Sequence, residues 1–290
     1  MDIWHYARAT SLSANLVPII VYAMGPRRTP NALTEIFRYV QEAEVGDVYF
    51  VTTHSAPEPF LWARKRVKLR TALPPELSFT STHYSAPWTL WKVDVLSHVP
   101  RHVQRLVTLD LDTIIGANFT REMGAHIDSL RPPAFAALSP SSSDGLYSGV
   151  QGGLVGWDLR ELRRQTLCPH ATWWSCVNTS ASPGLPLGEQ SLWDIVMRDQ
   201  PRHLRLLPCG LHLETQLLQW VSRELGLATA KQYPAAAACP ARLGQPSEPQ
   251  VVHSAAGMGP MAARVARKLF RTRLARPWRY PPRPAWRRSA

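Results

Sequence analysis

The sequence has none of the long apolar runs that cross membranes. The longest apolar stretch near its start, 16–24, is well short of the roughly 18 residues that a spanning helix needs, so we predict no membrane span. Residues 1–15 also lack the basic start, apolar stretch and small-residue cleavage site of a secretory signal. The protein is therefore expected either to act inside the cell or to have a targeting segment that is missing from this chain.

Cysteine is scarce and is not spaced for a zinc knuckle or a thioredoxin-type site. No two of the four cysteines form a Cys-x-x-Cys pair. An even count allows two disulfides, and glycosylation acceptor patterns at Asn118 and Asn178 agree with a secretory lumen. Both features are also common in cytosolic chains, so the compartment stays open at this point. The cysteines are Cys168, Cys176, Cys209 and Cys239.

Acidic residues are absent from the last part of the chain. Segment 264–290 has ten Arg and Lys residues and no Asp or Glu, and it holds most of the net charge of +12. The rest of the chain is nearly neutral, which argues against a nucleic-acid groove on the main body. We expect no specific nucleic-acid partner, although the tail itself is suited to contact with anionic surfaces.

The sequence does contain an alternation of strand and helix patterns. The apolar, β-branched run 16–24 predicts a strand, the apolar spacing over 31–43 predicts a helix, and 47–53 predicts a second buried strand. A strand, a helix and a strand in this order predict parallel strands joined by a right-handed crossover. We therefore predict an α/β fold with a doubly wound sheet.

The rest of the chain continues this alternation. Residues 54–87, rich in Pro, Ser and Thr, are expected to be irregular, and 167–188 are expected to form a loop. Asp158 is predicted to be the N-cap of a helix. Further helices are predicted at 88–98, 158–166 and 189–198, and further strands at 105–109, 134–138, 149–157, 204–207 and 251–252.

Two aspartates directly follow the apolar strand 105–109. Asp110 and Asp112 are two residues apart, a spacing that points both carboxylates to the same side of an extended chain. In open α/β sheets, ligands bind at the carboxyl ends of the strands, and Mg²⁺ or Mn²⁺ takes oxygen ligands together with substrate phosphates. Such a cation stabilises a departing diphosphate without proton transfer. The alternative is that this common tripeptide only caps a helix or lines a turn.

Other polar residues have comparable positions. His253 follows a short apolar strand and would add a nitrogen ligand, and a mixed set of this kind favours Mn²⁺ over Mg²⁺. Glu189 and Gln190 open a helix and would face a polar substrate. Lys92 would reach a phosphate, and the Ser148–Gly149 pair begins a strand after a polar loop. Each has an ordinary alternative: a satisfied polar histidine, a helix-favouring acid, a surface lysine and a simple turn.

Several motifs, taken in order, resemble glycosyltransferase family 8. The likeness is strongest to the xylosyltransferase-type domain of the LARGE proteins and to related xylosyltransferases, and more distant to glycogenin and bacterial galactosyltransferases. It covers about 16–258 and rests on the order and spacing of the segments. These segments are Trp91-Lys92, Arg105 to Thr113, Tyr147 to Val150, Gly188 to Trp193, Leu206 to Cys209 and Val251 to His253.

The resemblance implies a GT-A fold, a Rossmann-like nucleotide-sugar-binding domain with a mixed, mostly parallel central sheet. It implies a retaining glycosyltransferase that moves a sugar of the xylose, glucose or galactose class from a UDP-sugar to a glycan or glycoprotein acceptor, with Mn²⁺ or alternatively Mg²⁺. The domain would cover 16–258, between an N-terminal extension, 1–15, and a basic, Pro/Arg-rich tail, 259–290. Family members usually work in the Golgi, so the resemblance implies the Golgi or secretory lumen.

The same resemblance implies a role for individual residues. Asp110, Asp112 and His253 fall on the family's metal ligands. Glu189 and Gln190 fall on a catalytic pair whose carboxylate binds donor-sugar hydroxyls and whose amide lies near the anomeric carbon. The donor-binding positions are Lys92, Asp110, Leu111, Ser148, Gly149 and Gly257.

The chain also departs from the family pattern on the sugar side. Tyr147 stands where the family usually has Asn, Glu189 where it has Asp, and Ser191 where it has a second Asp. The donor sugar is therefore expected to differ from the commonest ones.

A second departure concerns the diphosphate. Segment 254–259 lacks the lysine that typically grips it, and Arg264 or Lys268 would have to act instead. This loss supports an alternative, a catalytically inactive glycosyltransferase-like binding protein. A further alternative is a binder of nucleic acid or anionic surfaces that uses the basic tail.

Overall fold

The computed structural model describes nine segments of the chain, and its elements are numbered here in chain order within them. The segments are 16–23, 46–52, 67–71, 88–110, 113–143, 146–165, 189–208, 211–214 and 251–253. The strands are β1 Ile19–Ala23, β2 Val48–Thr52, β3 Val67–Thr71, β4 Arg105–Leu109, β5 Thr113–Ile115, β6 Ala136–Ser143, β7 Leu146–Asp158, β8 Leu204–Leu206, β9 His212–Glu214 and β10 Val251–His253. The helices are α1 Val95–His98, α2 Phe119–Asp128, α3 Leu159–Arg164 and α4 Glu189–Asp199, with 3₁₀ helices at Trp88–Val93 and Pro201–His203.

Seven of the described strands form one mixed sheet in the order β3-β2-β1-β4-β7-β6-β8. Adjacent strands are parallel except around β7, which is antiparallel to both β4 and β6. The chain passes from β1 outward to β2 and β3 and then returns to the other side of β1 with β4. The predicted α/β class with a mostly parallel central sheet is therefore confirmed, and the direction of winding reverses between β1 and β4, where ligands bind in such sheets.

Strand β1 lies between β2 and β4 in the large sheet and is buried on both faces. Ile20 and Tyr22 pack into one hydrophobic core, while Ile19 and Val21 pack into another on the opposite face. This division follows from the two-residue period of a strand. A continuous apolar run with β-branched residues is the expected sequence of a parallel strand covered on both sides.

A smaller described sheet has the order β5-β10-β9. Strand β10 is antiparallel to β5 and parallel to β9, so that His253 is paired with Thr113 on one side and with Glu214 on the other. Because β5 begins only three residues after Asp110, this pairing brings a segment near residue 250 next to the end of β4.

Most of the predicted elements that fall within the described residues are confirmed. Strands β2, β4, β8 and β10 match within one residue, β1 begins three residues later than predicted, and β6 and β7 are longer than predicted. Helix α3 begins at its predicted cap, because the Asp158 carboxylate accepts the backbone N–H groups of Arg160 at 3.0 Å and Glu161 at 3.1 Å. The predicted helix at 31–43 and the four cysteines lie outside the described residues.

Two sequence expectations need correction. Region 54–87 is not irregular throughout, because Val67–Thr71 forms β3 and pairs with β2 along its whole length. Five residues with alternating apolar and charged side chains give too weak a local signal, and the pairing with β2 decides the structure. The predicted helix 88–98 is divided at Asp94 into a 3₁₀ helix and the short α1. Apolar spacing does not distinguish these two helix types over one or two turns.

Helix α2 and strands β5 and β9 were not predicted. Phe119, Met123 and Ile127 are buried at a spacing of four residues and form the inward stripe of α2. No helix in the described part of the chain is both long and apolar enough to cross a membrane.

Candidate functional site

Asp110 lies at the carboxyl end of β4, near the middle of the large sheet. Its backbone N–H donates to the carbonyl of Gly153 in β7 at 2.9 Å. The Thr113 hydroxyl donates to the Asp110 carbonyl at 2.7 Å. Leu111 and Asp112 are outside the described residues, so the paired-aspartate prediction stays a prediction for Asp112.

His253 is brought to Asp110 by the pairing of β10 with β5. The Nε2 atom of His253 lies 3.6 Å from Oδ2 of Asp110, and the imidazole is buried. These residues are far apart in sequence, so only the small sheet places them side by side. His253 is thus the last residue of β10 and lies close to the aspartate, and its role as a metal ligand stays a prediction.

Lys92 is a buried cation between two carboxylates. Its Nζ atom donates to Oε1 of Glu189 at 2.6 Å and also contacts Oδ1 of Asp110. Burial lowers the pKa of Lys92, but the charges of Asp110 and Glu189 and the hydrogen bonds with both outweigh burial and raise the pKa above its usual range. Lys92 is therefore charged at any physiological pH. The alternative of an ordinary surface lysine is excluded.

Glu189 is the first residue of α4 and is buried beside Lys92. One turn later, the Asp194 carboxylate accepts the backbone N–H of Val150 in β7 at 3.1 Å. Burial raises the pKa of Asp194, and the hydrogen bond from Val150 offsets part of that rise. Helix α4 is thus held on β7 by Asp194 and linked to the Asp110 side of the site by Lys92. Gln190 follows Glu189 at the same helix end and is partly exposed.

Two glycines of β7, Gly152 and Gly153, were not predicted as site residues. They lie where the side chains of the site approach the sheet. A methyl group on Gly152 would lie 3.0 Å from Oε1 of Glu189. On Gly153 it would lie 2.8 Å from Cε1 of His253 and 3.0 Å from Oδ2 of Asp110. Only glycine leaves room for these side chains. Adjacent glycines within a strand often mark a close approach, and this is the signal that could have found them.

A β-bulge directs this glycine pair toward the site. Strand β6 pairs Leu138 with Val155 but its next residue, Ser139, with Gln151, so residues 152–154 of β7 have no partner on β6. Bulges re-aim backbone and side chains and are frequent beside active sites. The predicted donor residues Ser148 and Gly149 lie earlier in β7, where Gly149 pairs with Ser141 of β6. Their role stays a prediction, and Gly257 lies outside the described residues.

The site has two of the donors that a divalent cation would use. The Asp110 carboxylate contacts Lys92 through Oδ1 and presents Oδ2 to the imidazole of His253, so one oxygen and one nitrogen lie side by side. A Cβ at position 153 would lie within 3.0 Å of both groups, so a glycine there is what lets them approach β7 this closely. Within the described residues no three such side chains are grouped to hold a metal ion, and the third expected ligand, Asp112, is not among them. An aspartate and a histidine are residue types that fit a divalent cation, and Mn²⁺ stays a prediction.

Comparison with known proteins shows similarity at the level of the fold. No protein-family model and no curated protein matches the sequence. Mouse xyloside xylosyltransferase 1 in its apo form has a similar structure, with a TM-score of 0.59, 14% identity, and coverage of 83% of this chain and 98% of that one. The galactosyltransferase LgtC in complex with donor and acceptor sugar analogues has a TM-score of 0.58, 10% identity, and coverage of 87% and 96%. The chain therefore has the α/β fold of these glycosyltransferases over nearly their whole length.

Proposed function

We propose that this protein is a retaining glycosyltransferase that moves a sugar from a UDP-sugar donor to a glycan or glycoprotein acceptor and uses Mn²⁺. The observation that carries the proposal is the convergence of Lys92, Asp110, Glu189 and His253 at the carboxyl end of β4. Ligands bind at this place in open α/β sheets. The fold shared with two sugar-transferring enzymes supports sugar transfer as the reaction class.

Asp110 and His253 are the described residues that would hold the cation, with Asp112 as the third ligand expected from the sequence. A mixed oxygen and nitrogen set suits Mn²⁺, and Mg²⁺ is the alternative. When bound, the cation offsets the negative charge that develops on the terminal phosphate of the departing UDP. Because Lys92 balances only one of the two carboxylates, the group keeps a net negative charge that attracts a divalent cation.

Lys92 would also link the two halves of the site. Lys92 contacts both Glu189, which would bind the sugar, and Asp110, which would bind the cation. These two contacts fix the distance between the two carboxylates. Charged hydrogen bonds of this kind are about twice as strong as neutral ones, and buried groups making them are well oriented. Positioning of this sort is a large part of catalysis when the reacting groups must align.

Glu189 and Gln190 would act on the sugar itself. The ionised Glu189 carboxylate can accept hydrogen bonds from sugar hydroxyls, and the amide of Gln190 would lie near the anomeric carbon. The bond between the anomeric carbon and the phosphate oxygen breaks while the acceptor oxygen attacks from the same face, so the configuration is retained. The proton of the acceptor hydroxyl passes to the departing diphosphate.

The proposed donor sugar belongs to the xylose, glucose or galactose class. One similar structure is named as a xyloside xylosyltransferase and another as a galactosyltransferase bound to donor and acceptor sugar analogues. Both names support a small neutral sugar as the transferred group. The Golgi or secretory lumen, where the family resemblance expects the protein, is part of the proposal.

The test is release of UDP from UDP-xylose, UDP-glucose and UDP-galactose, with Mn²⁺ or with a chelator. We expect release from one of these donors, loss of release with chelator, and a decrease of roughly 100-fold or more in Asp110→Asn, since the site loses a charge that faces the leaving group. The matched control is Asp199→Asn at the other end of α4, where Asp199 pairs with Arg198 at 2.6 Å and is exposed.

Two results would contradict the proposal. Release that persists in Asp110→Asn would remove Asp110 from the chemistry. Absence of release from every donor, by a protein that unfolds cooperatively on heating, would favour the inactive binding protein, with the missing lysine after His253 as its reason. In that case, binding of UDP without turnover would be the next observation.

A further inference from the structure

A second histidine lies beside the candidate metal ligand. His212 is the first residue of β9, and the parallel register pairs it with Val251 in β10. Because side chains alternate along a strand, His212 and His253 lie diagonally on the same face of the small sheet. Their rings are stacked, with centroids 5.3 Å apart and planes 18° from parallel. Nothing in the sequence motifs pointed to His212.

The imidazole of His253 is confined on three sides. Its Nε2 atom faces Oδ2 of Asp110 at 3.6 Å. Its Cε1–Nδ1 edge lies beside Gly153, where a methyl group would lie 2.8 Å from Cε1 and 3.1 Å from Nδ1. The ring of His212 covers a face of the imidazole. Asp110 and Gly153 thus lie beside atoms of the ring, whereas His212 stacks on the ring face and opposes its rotation.

We propose that His212 is a positioning residue that keeps the His253 ring turned with Nε2 toward Asp110, and so sets the affinity of the site for a divalent cation. This inference rests on the proposed function, since it takes Asp110 and His253 as cation ligands. Metal-bound histidines depend on neighbours that fix the ring, and loss of such a neighbour typically weakens metal binding by about 10- to 100-fold. We assign this positioning role to the flat ring of His212, which stacks on His253, and not to its nitrogen atoms.

The stacking geometry is the reason to assign the role to the ring. His253 presents its Nε2 atom to Asp110, whereas the contact of His212 with His253 is ring to ring. Asp110 and His253 would therefore hold the cation. His212 thus supports the ligand without adding to the ligand set.

The test is titration of the full-length protein with Mn²⁺ in the absence of any donor, with free Mn²⁺ measured by electron paramagnetic resonance. We expect His212→Leu, which keeps the volume but not the flat ring, to bind Mn²⁺ at least about 10-fold more weakly. His212→Phe, which keeps a flat ring without nitrogens, should stay within about threefold of the wild type. The matched control is His126→Ala in the last turn of α2, for which we expect unchanged affinity.

Each other outcome would overturn the inference. If His212→Leu binds Mn²⁺ like the wild type, His212 does not position the ligand. If His212→Phe is as weak as His212→Leu, the nitrogens of His212 take part and the positioning role is wrong. If the wild type itself binds no Mn²⁺, the metal assignment in the proposed function fails and the inference fails with it. A second readout is recovery of UDP release in His212→Leu by excess Mn²⁺, since weaker binding alone is corrected by concentration.

Discussion

At the scale of single residues, three glycines of β7 make room for two different groups of side chains. Gly152 and Gly153 leave room for the side chains of the site, whereas Gly156 leaves room for the core. A methyl group on Gly156 would lie 2.9 Å from Cε of Met123 and 3.0 Å from Cγ1 of Ile127, both on α2. The same substitution is therefore expected to have distinct consequences only a few residues apart.

We predict that Gly153→Ala lowers Mn²⁺ affinity and UDP release, each by at least about 10-fold, because the added methyl displaces His253 and Asp110. Gly156→Ala should instead lower the free energy of unfolding by about 1–3 kcal/mol through overpacking against α2, with Mn²⁺ affinity unchanged. Metal titration and urea unfolding of both variants check this. Equal loss of Mn²⁺ affinity in the two variants would show that the effect of Gly153 is only a loss of stability.

At the scale of elements, α4 is attached to the sheet by buried polar groups as well as by apolar packing. Leu192, Trp193 and Val196 pack into the same hydrophobic core as β7 residues. Asp194 adds the hydrogen bond to Val150, and Glu189 adds the link to Lys92. The apolar contacts stabilise the docked helix, and the polar contacts determine the position at which Glu189 enters the site.

Asp194 has a raised pKa in the folded protein because it is partly buried. A carboxyl whose pKa is raised by folding contributes most to the free energy of unfolding below its usual pKa of 3.8. This contribution is lost as the pH rises through the folded pKa. At neutral pH, Asp194→Asn should therefore increase the free energy of unfolding by a few tenths to about 1 kcal/mol, since the amide oxygen still accepts from Val150. The increase should shrink as the pH falls through the raised folded pKa of Asp194, and it should be absent below the usual value of 3.8, where the carboxyl is protonated in both the folded and the unfolded protein.

Urea unfolding at neutral pH and at a pH below 3.8 measures this effect. Asp199→Asn is the control, because the pKa of Asp199 is shifted in the opposite direction. The hydrogen bond with Arg198 lowers the pKa of Asp199, so its ionised form favours the folded protein and its removal should give no gain at neutral pH. A loss of stability in Asp194→Asn at neutral pH would contradict the argument from burial.

At the scale of the whole molecule, positive charge is concentrated in a part of the sequence that contains none of the described site residues. The segment 264–290 holds most of the net charge, while the body that contains the site is nearly neutral. We predict that the full chain binds vesicles containing an anionic lipid, that binding decreases as salt is raised, and that deletion of 264–290 abolishes it. UDP release should be retained by the shortened protein.

Vesicle sedimentation at several salt concentrations, with UDP release measured on the same samples, checks the prediction. Loss of UDP release by a folded protein without the tail would contradict the separation of roles. It would instead assign Arg264 or Lys268 to the diphosphate in place of the lysine that is missing after His253.

Local patterns in the sequence were sufficient for the central strands and for part of the site. Some features depend only on neighbours within a few residues, so they could be predicted. They are the apolar runs of β1 and β4, the Asp158 cap and the start of α4 at Glu189. The candidate residues Lys92, Asp110, Glu189 and His253 were identified on their positions at element ends and on the family resemblance. The structure brings all four together.

Only the tertiary structure decided how these elements meet. The antiparallel course of β7, the bulge that carries Gly152 and Gly153, and the stacking of His212 on His253 depend on pairings between distant segments. Strand β3 is equally dependent on its partner β2. The sequence by itself thus identified the residues that are proposed to bind a cation and a sugar nucleotide. The register of the sheets decided which of them touch, because strand pairing is a non-local interaction that no single segment encodes.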